Sequence, residues 1–165
     1  MAQDSEKKAT DMARGDYFFK AGYYLKASES YRVAILDRPR DTERLLSFAN
    51  DLFALGNYHY SSHAIRRAVK HSSKKSGFDP QVAPMFPHRL SYVRALDDLK
   101  RYVTYNRRDP SALTVLAYTY YADGEFKKSR KICGYLKLLD REDPLVAFMN
   151  KLLKASMGSK KAPKA

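Results

Sequence analysis

Three stretches of the 165-residue chain share one pattern at multiples of 34 residues: GDYFFKAGYYLKA (15–27), ANDLFALGNYHYS (49–61) and AYTYYADGEFKKS (117–129). Each has a small residue at both ends, a glycine at its eighth position and apolar or aromatic residues between them. Small residues at helical spacing let two helix backbones approach closely, and the larger side chains fill the remaining volume. The pattern therefore predicts pairs of packed helices, each joined by a turn at the glycine.

The predicted turns and helix starts have signals of their own. Glycine adopts positive φ without a Cβ penalty and so ends a helix well, and the repeat supplies Gly22, Gly56 and Gly124 at the turns. The Asp-Pro pairs at 109–110 and 143–144 are typical of a helix N-cap followed by proline in the first turn. One helix pair cannot bury its own apolar face. We therefore expect seven to nine helices, no sheet, and stacking of neighbouring pairs.

These residues resemble the tetratricopeptide repeat, a 34-residue helical hairpin with the same order of small, aromatic, glycine, aromatic and small positions. The resemblance implies an all-α fold: a right-handed α-α superhelix (solenoid) of about four such hairpins, the third one irregular, with a C-terminal capping helix. The expected divisions are an N-terminal extension (1–7), repeats at 8–41, 42–75, 76–109 and 110–143, a capping helix (144–156) and a basic, disordered tail (157–165).

The third unit departs from the pattern in its first half. Pro80, Pro84 and Pro87 lie where its first helix is expected, and proline removes a backbone donor and clashes inside a helix. We therefore expect an irregular segment over 76–90 that crosses or flanks the groove of the superhelix, followed by an intact helix at about 91–106. Whether this segment occupies the groove is open at this point.

Charge is the unusual feature of the composition. Lysine and arginine number 31 against 18 acidic residues, which gives a formal net charge of +13. Such an excess favours encounters with nucleic acid, acidic protein or lipid headgroups without identifying one of them. No apolar stretch typical of a secretory signal follows Met1, and Cys133 is the single cysteine. We therefore expect a cytoplasmic protein without membrane insertion.

The sequence contains no recognisable catalytic or metal-binding pattern. It lacks a phosphate-binding Gly-Lys loop, a dinucleotide-binding glycine motif and a His-Glu-x-x-His motif. His59 and His63 are four residues apart on a predicted helix, but no nearby acidic residue or cysteine completes a ligand set. Cys133 falls in a core column of the repeat, which favours a small buried residue over a nucleophile. We expect no enzymatic activity, no metal and no cofactor.

The resemblance also implies a binding groove, since the first helix of each tetratricopeptide repeat lines the concave surface where partner peptides or helices dock. The matching positions give five candidate partner-binding residues: Phe19, Asn50, Phe53, Tyr118 and Tyr121. Aromatic anchors beside an amide suit peptide recognition, although these rings are equally open to interpretation as packed core. Chaperone-binding members of the family grip a C-terminal carboxylate with basic and amide side chains. That clamp is missing here at the matching Met12, Asp16, Ser47, Gly77 and Gln81.

Most basic residues fall instead on the predicted second helices, which face the convex side of such repeats. The candidates for a basic surface are Arg66, Arg67, Lys70, Lys100, Arg101, Lys127, Lys128 and Lys131. They form either a stripe that holds a nucleic-acid backbone or an acidic partner, or an ordinary solvated surface. Binding of single strands also needs exposed rings among the cations, and few candidates are evident.

The sequence thus predicts a non-enzymatic scaffold or adaptor that binds a peptide or helix of a protein partner in the concave groove. The alternative is an RNA- or ribonucleoprotein-associated subunit that uses the basic convex surface. Self-association is a third option, because an end repeat without a neighbour can stack on a second copy.

Overall fold

The computed structural model describes residues 2–72 and 78–159. Within these residues the regular structure is entirely helical, with eight α-helices, one 3-10 turn (Ala83–Met85) and no strand. The helices are α1 (Ala2–Lys20), α2 (Tyr24–Asp37), α3 (Thr42–Ala54), α4 (Tyr58–His71), α5 (Arg89–Tyr105), α6 (Pro110–Ala122), α7 (Phe126–Leu139) and α8 (Pro144–Ser159). The predicted all-α fold and the expected number of helices are confirmed for this part of the chain.

The three glycine turns are built alike. Gly22, Gly56 and Gly124 have φ values of 80°, 72° and 72°, as the sequence predicts. The residue after each glycine donates its N–H to the carbonyl five residues earlier; Tyr23, for example, donates to Phe18 at 2.8 Å. This Schellman arrangement satisfies the last carbonyls of the first helix and reverses the chain.

Two of the helical hairpins also share one interhelical bond. The Ser61 hydroxyl on α4 donates to the Ala49 carbonyl on α3 at 2.8 Å. The Ser129 hydroxyl on α7 donates to the Ala117 carbonyl on α6 at the same distance. All four residues are buried, so a larger side chain at any of them would push the two helices apart. The predicted role of the small residues as points of close approach is confirmed here.

The order of packing skips one predicted unit. Helix α2 packs on α3, α4 packs directly on α6, and α7 packs on α8. Helix α5 lies to the side against α6, α3 and the 3-10 turn. There the Tyr102 ring contacts Tyr58 on α4, and the Tyr92 ring contacts Phe53 on α3. The unit at 76–109 therefore contributes no helical hairpin to the series, and α6 takes the position beside α4.

Two boundaries differ from those expected. Helix α1 begins at Ala2, so nearly all of the expected extension at 1–7 is helical. Helix α8 continues to Ser159, three residues past the expected end of the capping helix at 156. The rest of the predicted basic tail, 160–165, lies outside the described residues. No helix within 2–72 or 78–159 is both long and apolar enough to span a bilayer.

Candidate functional site

The segment 78–88 lies across the first-helix face, the surface formed by α1, α3 and α6. Its only regular element is the 3-10 turn, in agreement with the irregularity that the prolines predict. Phe86 is its main anchor, with 3% of its surface exposed. The Phe86 ring packs against Phe19 of α1 and Phe53 of α3 at centroid distances of 5.2 and 5.9 Å, and against Tyr24 and Tyr92 at 6.1 and 5.4 Å. The chain thus places one of its own rings between α1 and α3.

Two further apolar side chains hold the segment, at intervals of four residues before Phe86. Phe78 lies with its ring 5.2 Å from Phe148 of α8 and 6.2 and 6.5 Å from Tyr118 and Tyr121 of α6. Val82, between these anchors, is fully buried. The segment therefore reaches from α8 to α1 and covers much of the first-helix face.

Side chains of the first helices also bind the backbone of this segment. The Lys20 ammonium group on α1 donates to the carbonyls of Pro84 at 2.8 Å and Phe86 at 3.2 Å. The Asn50 amide on α3 donates to the Gln81 carbonyl at 3.5 Å and accepts from the Tyr118 hydroxyl at 2.9 Å. These are contacts of the type by which a groove recognises a bound peptide, made here to the chain itself.

The five predicted groove residues lie in different environments. Phe53 and Tyr118 are buried beneath the chain's own segment, so for these two rings the packed-core alternative that the sequence left open is the one observed. Phe19 and Asn50 are also buried, and each contributes to the inner wall of a cleft described below. Tyr121 is half-buried, contacts Phe78 and shares a 3.4 Å hydrogen bond with Ser156 of α8.

An open cleft of about 860 Å³ remains between α1, the first half of α3 and residues 79–85. Its floor includes the apolar side chains of Phe19, Leu46 and Met85, and the buried Tyr31 and Asn50 also line it. Its rim includes Thr42 and Ser47 on α3. The part that the segment has in forming this cleft was not predictable from the sequence, because no periodic pattern specifies where an irregular segment packs.

Acidic side chains predominate around the cleft. Among the described lining residues, carboxylates come from Asp16 of α1, Asp41 and Glu43 at the start of α3, and Asp79 of the segment, while Lys20 and Arg40 contribute positive charge. Asp41 caps α3 by accepting from the Arg44 N–H at 3.2 Å. Asp16 accepts from the Tyr31 hydroxyl at 2.7 Å, and burial together with this bond raises the pKa of Tyr31.

Several residues of the predicted basic surface form ion pairs or hydrogen bonds with other residues of the chain. Arg66 pairs with the buried Asp143 carboxylate at 2.6 Å, and Arg67 donates to the Pro39 carbonyl at 2.8 Å. Lys100 and Arg101 on α5 pair with Asp97 and Asp98, and Lys128 pairs with Glu125. Arg66 therefore has a structural role within the chain. Lys70, Lys127 and Lys131 are exposed and form no ion pair with a described residue.

Helix α7 keeps the clearest group of exposed cations. Lys127, Arg130 and Lys131 are exposed along it, and Tyr135, one turn after Lys131, has 44% of its surface exposed. The Tyr135 ring lies close in the sequence to these cations, but the repeat pattern alone does not predict that the ring is exposed. Residues 126–165 contain eleven lysines and arginines against three acidic residues, so this end of the chain carries most of the net charge.

Metal coordination is not supported by the described residues. No set of three or more His, Cys, Asp and Glu among them is arranged to hold a metal ion. His59 and His63 are both exposed on α4. Burial raises the pKa of the Cys133 thiol to about 11, so the thiol is largely protonated at neutral pH and a poor nucleophile.

Comparison with known proteins adds no assignment: no family model matches the chain, and no curated protein matches it.

Proposed function

We propose that the chain is a non-enzymatic, tetratricopeptide-type scaffold that binds an extended segment of a protein partner in the cleft between α1 and α3. The repeat assignment rests on three equivalent Schellman turns at multiples of 34 residues and on the paired serine–carbonyl bonds of two hairpins. A right-handed superhelix and a cytoplasmic location are part of this proposal. The capping role of α8 belongs to it as well.

The observation that carries the proposal is the way the first-helix face holds residues 81–86. Lys20 and Asn50 bind backbone carbonyls there, and Phe86 fills an aromatic pocket. The face is therefore built for backbone-plus-pocket recognition, with part of it filled by the chain itself. The open cleft continues that surface along α1 and α3, and it is the portion left for a partner.

A peptide-display library selected against the immobilised protein tests the proposal. Ser47→Tyr fills the cleft from the rim of α3, whereas Thr104→Tyr adds the same ring at an exposed position of α5. We expect selected peptides to lose at least tenfold in affinity with Ser47→Tyr and to bind Thr104→Tyr normally. Circular dichroism checks that both variants fold. Peptides that bind all three proteins equally would place the binding site elsewhere and refute the proposal.

A second candidate function, binding of single-stranded RNA, is favoured by helix α7. Lys127, Arg130 and Lys131 form no ion pair with a described residue, and Tyr135 supplies an exposed ring on which a base can stack. The triple variant Lys127→Glu, Arg130→Glu, Lys131→Glu is expected to abolish binding of an oligouridine 20-mer. Wild-type affinity should fall steeply with added salt because phosphate contacts release counterions. Ser47→Tyr should leave this binding unchanged, so the two functions are separable.

A further inference from the structure

Among the described residues that line the cleft between α1 and α3, carboxylates outnumber lysine and arginine, although the whole molecule is basic. These are four carboxylates against two cations, in a protein of net charge +13. One of those cations, Lys20, already donates to the Pro84 and Phe86 carbonyls. Asp16, Glu43 and Asp79 form no ion pair with a described residue, and Asp16 accepts a hydrogen bond from the Tyr31 hydroxyl at 2.7 Å.

The floor of the cleft adds a second, independent requirement on the ligand. Phe19, Leu46 and Met85 present apolar surface beneath the acidic rim. Lysine and arginine side chains match such a site, because their aliphatic stems cover apolar surface while the charged head stays at a polar rim. A guanidinium or ammonium group then gains charge-assisted hydrogen bonds to carboxylates. An acidic side chain would meet like charge, and a purely apolar one would leave the rim unused.

The net charge of the protein makes this preference informative. A field of +13 repels cationic peptides at long range and attracts anionic ones. Binding of a cationic peptide therefore has to come from local contacts, and the cleft is where the described carboxylates gather beside an apolar floor.

We propose that the cleft is a binding site for an arginine or lysine side chain carried on an extended segment of a protein partner. Its cationic head lies among Asp16, Glu43 and Asp79, and its stem lies on Phe19, Leu46 and Met85. This inference rests on the proposed peptide-binding function and specifies the chemistry of the partner.

Three fluorescein-labelled peptides of equal length, alternating Gly-Arg, Gly-Gln and Gly-Glu, test the inference by fluorescence anisotropy. We expect Gly-Arg to bind at least tenfold more tightly than the other two. The double variant Asp16→Asn, Asp79→Asn should weaken that binding at least tenfold. Asp97→Asn with Asp98→Asn on α5 changes the net charge equally at exposed positions outside the cleft, and it should change the affinity less than twofold.

Asp16 also accepts a hydrogen bond from the Tyr31 hydroxyl, so a variant that affects folding less is needed beside the double variant. The single variant Glu43→Gln removes a rim charge at an exposed position and should weaken Gly-Arg binding about threefold or more while the melting temperature stays constant. Equal losses in the cleft and α5 variants would overturn the inference, because they would show a field effect of the whole protein. Tight Gly-Gln binding that is sensitive to Ser47→Tyr would overturn the charge preference and leave the peptide-binding function standing. If no peptide, including those selected from the library, loses affinity with Ser47→Tyr, both the charge preference and the proposed peptide-binding function are refuted.

Discussion

Arg66 and Asp143 are 77 residues apart in the chain, yet two hydrogen bonds of 2.6 and 2.8 Å join the guanidinium of α4 to the carboxylate at the start of α8. Asp143 also caps α8 by accepting from the Leu145 N–H at 2.9 Å. Arg66 further donates to the Thr114 hydroxyl on α6 at 3.1 Å. One side chain of the second hairpin thus connects the three elements α4, α6 and α8, and it fixes where the last helix packs.

The first prediction concerns this ion pair. Arg66→Gln is expected to lower the free energy of unfolding by about 2–3 kcal/mol, because it leaves the buried Asp143 carboxylate without its charged partner. Arg67→Gln is the matched control on the same turn, since it removes only a bond to the Pro39 carbonyl. Urea denaturation measures both variants. Equal effects of the two substitutions would contradict the assigned role of Arg66.

The same pair predicts a response to acid. Burial raises the pKa of Asp143, but the hydrogen bonds and charge of Arg66, together with the backbone N–H groups of Leu145 and Val146, outweigh it and hold the pKa below its ordinary value of 3.8. A lowered pKa stabilises the fold above the unfolded-state pKa, and this stabilisation is lost as the pH falls through the folded-state pKa. Between about pH 5 and pH 2 the wild type should therefore lose more stability than Arg66→Gln. Parallel curves of unfolding free energy against pH for the two proteins would contradict this effect of Arg66 on the pKa of Asp143.

The second prediction concerns the closest approach in the first hairpin. A Cβ atom on Gly15 would lie 2.5 Å from the Cε1 atom of the Tyr31 ring, which is fully buried and hydrogen-bonded to Asp16. Gly15→Ala should therefore destabilise by about 1–3 kcal/mol despite the higher helix propensity of alanine. Gly134→Ala is the control on α7. There an added Cβ atom would meet no heavy atom within 4 Å beyond the backbone of its own helix, and the substitution should stabilise by up to about 1 kcal/mol. Thermal unfolding should show that Gly15→Ala lowers the stability and that Gly134→Ala raises it. If both variants change the stability in the same direction, the Tyr31 ring moves to make room for the added methyl group.

The turns and caps were predictable from the sequence because their causes are local. Gly56 needs only its own missing Cβ to take positive φ, and Asp109 needs only the N–H groups of the next turn. Ala27 and Ala95, which lie two repeat lengths apart in the sequence, show where this reasoning ends. Ala27 is fully buried between two helices, whereas Ala95 is half-buried, because no first helix precedes α5. A repeat position has its usual meaning only where both helices of its hairpin exist.

The candidate site was less predictable for a related reason. Phe53 and Tyr118 are placed on the first-helix face by the repeat, but their burial depends on Phe86 and Phe78, which belong to an irregular segment. The packing of such a segment is decided by tertiary contacts rather than by periodicity. Ion pairs such as Lys100–Asp97 were equally invisible in a count of basic residues along the helices.

The third prediction concerns Asp51, which is fully buried on α3. Neither carboxylate oxygen has a hydrogen-bond partner among the described residues. Burial raises the pKa of Asp51 to about 7 against an ordinary value of 3.8, although the neighbouring Ser28 hydroxyl opposes the rise. The folded state therefore binds a proton that the unfolded state has released, and stability falls as the pH rises through the folded-state pKa.

We expect the wild type to lose about 1.4 kcal/mol more stability than Asp51→Asn between pH 6 and pH 8, since one pKa unit corresponds to about 1.4 kcal/mol. The comparison with Asp51→Asn removes the contribution of the histidines, which both proteins share. Urea denaturation at several pH values measures the difference. If both proteins respond identically, Asp51 keeps one protonation state across this range.

The last prediction asks whether residues 78–88 are a permanent part of the core. Phe86 is surrounded by four aromatic rings, so Phe86→Ala should destabilise by about 3–5 kcal/mol through lost burial and a residual cavity. Leu90→Ala, four residues later, removes a side chain that is 58% exposed and should change stability by less than about 0.5 kcal/mol. Urea denaturation of both variants provides the measurement. A small cost for Phe86→Ala, together with rapid proteolysis within 78–88 in the native wild type, would show that the segment leaves the first-helix face readily. Phe53 and Tyr118 would then become available to a partner, and the binding surface would extend over α1, α3 and α6 instead of ending at the open cleft.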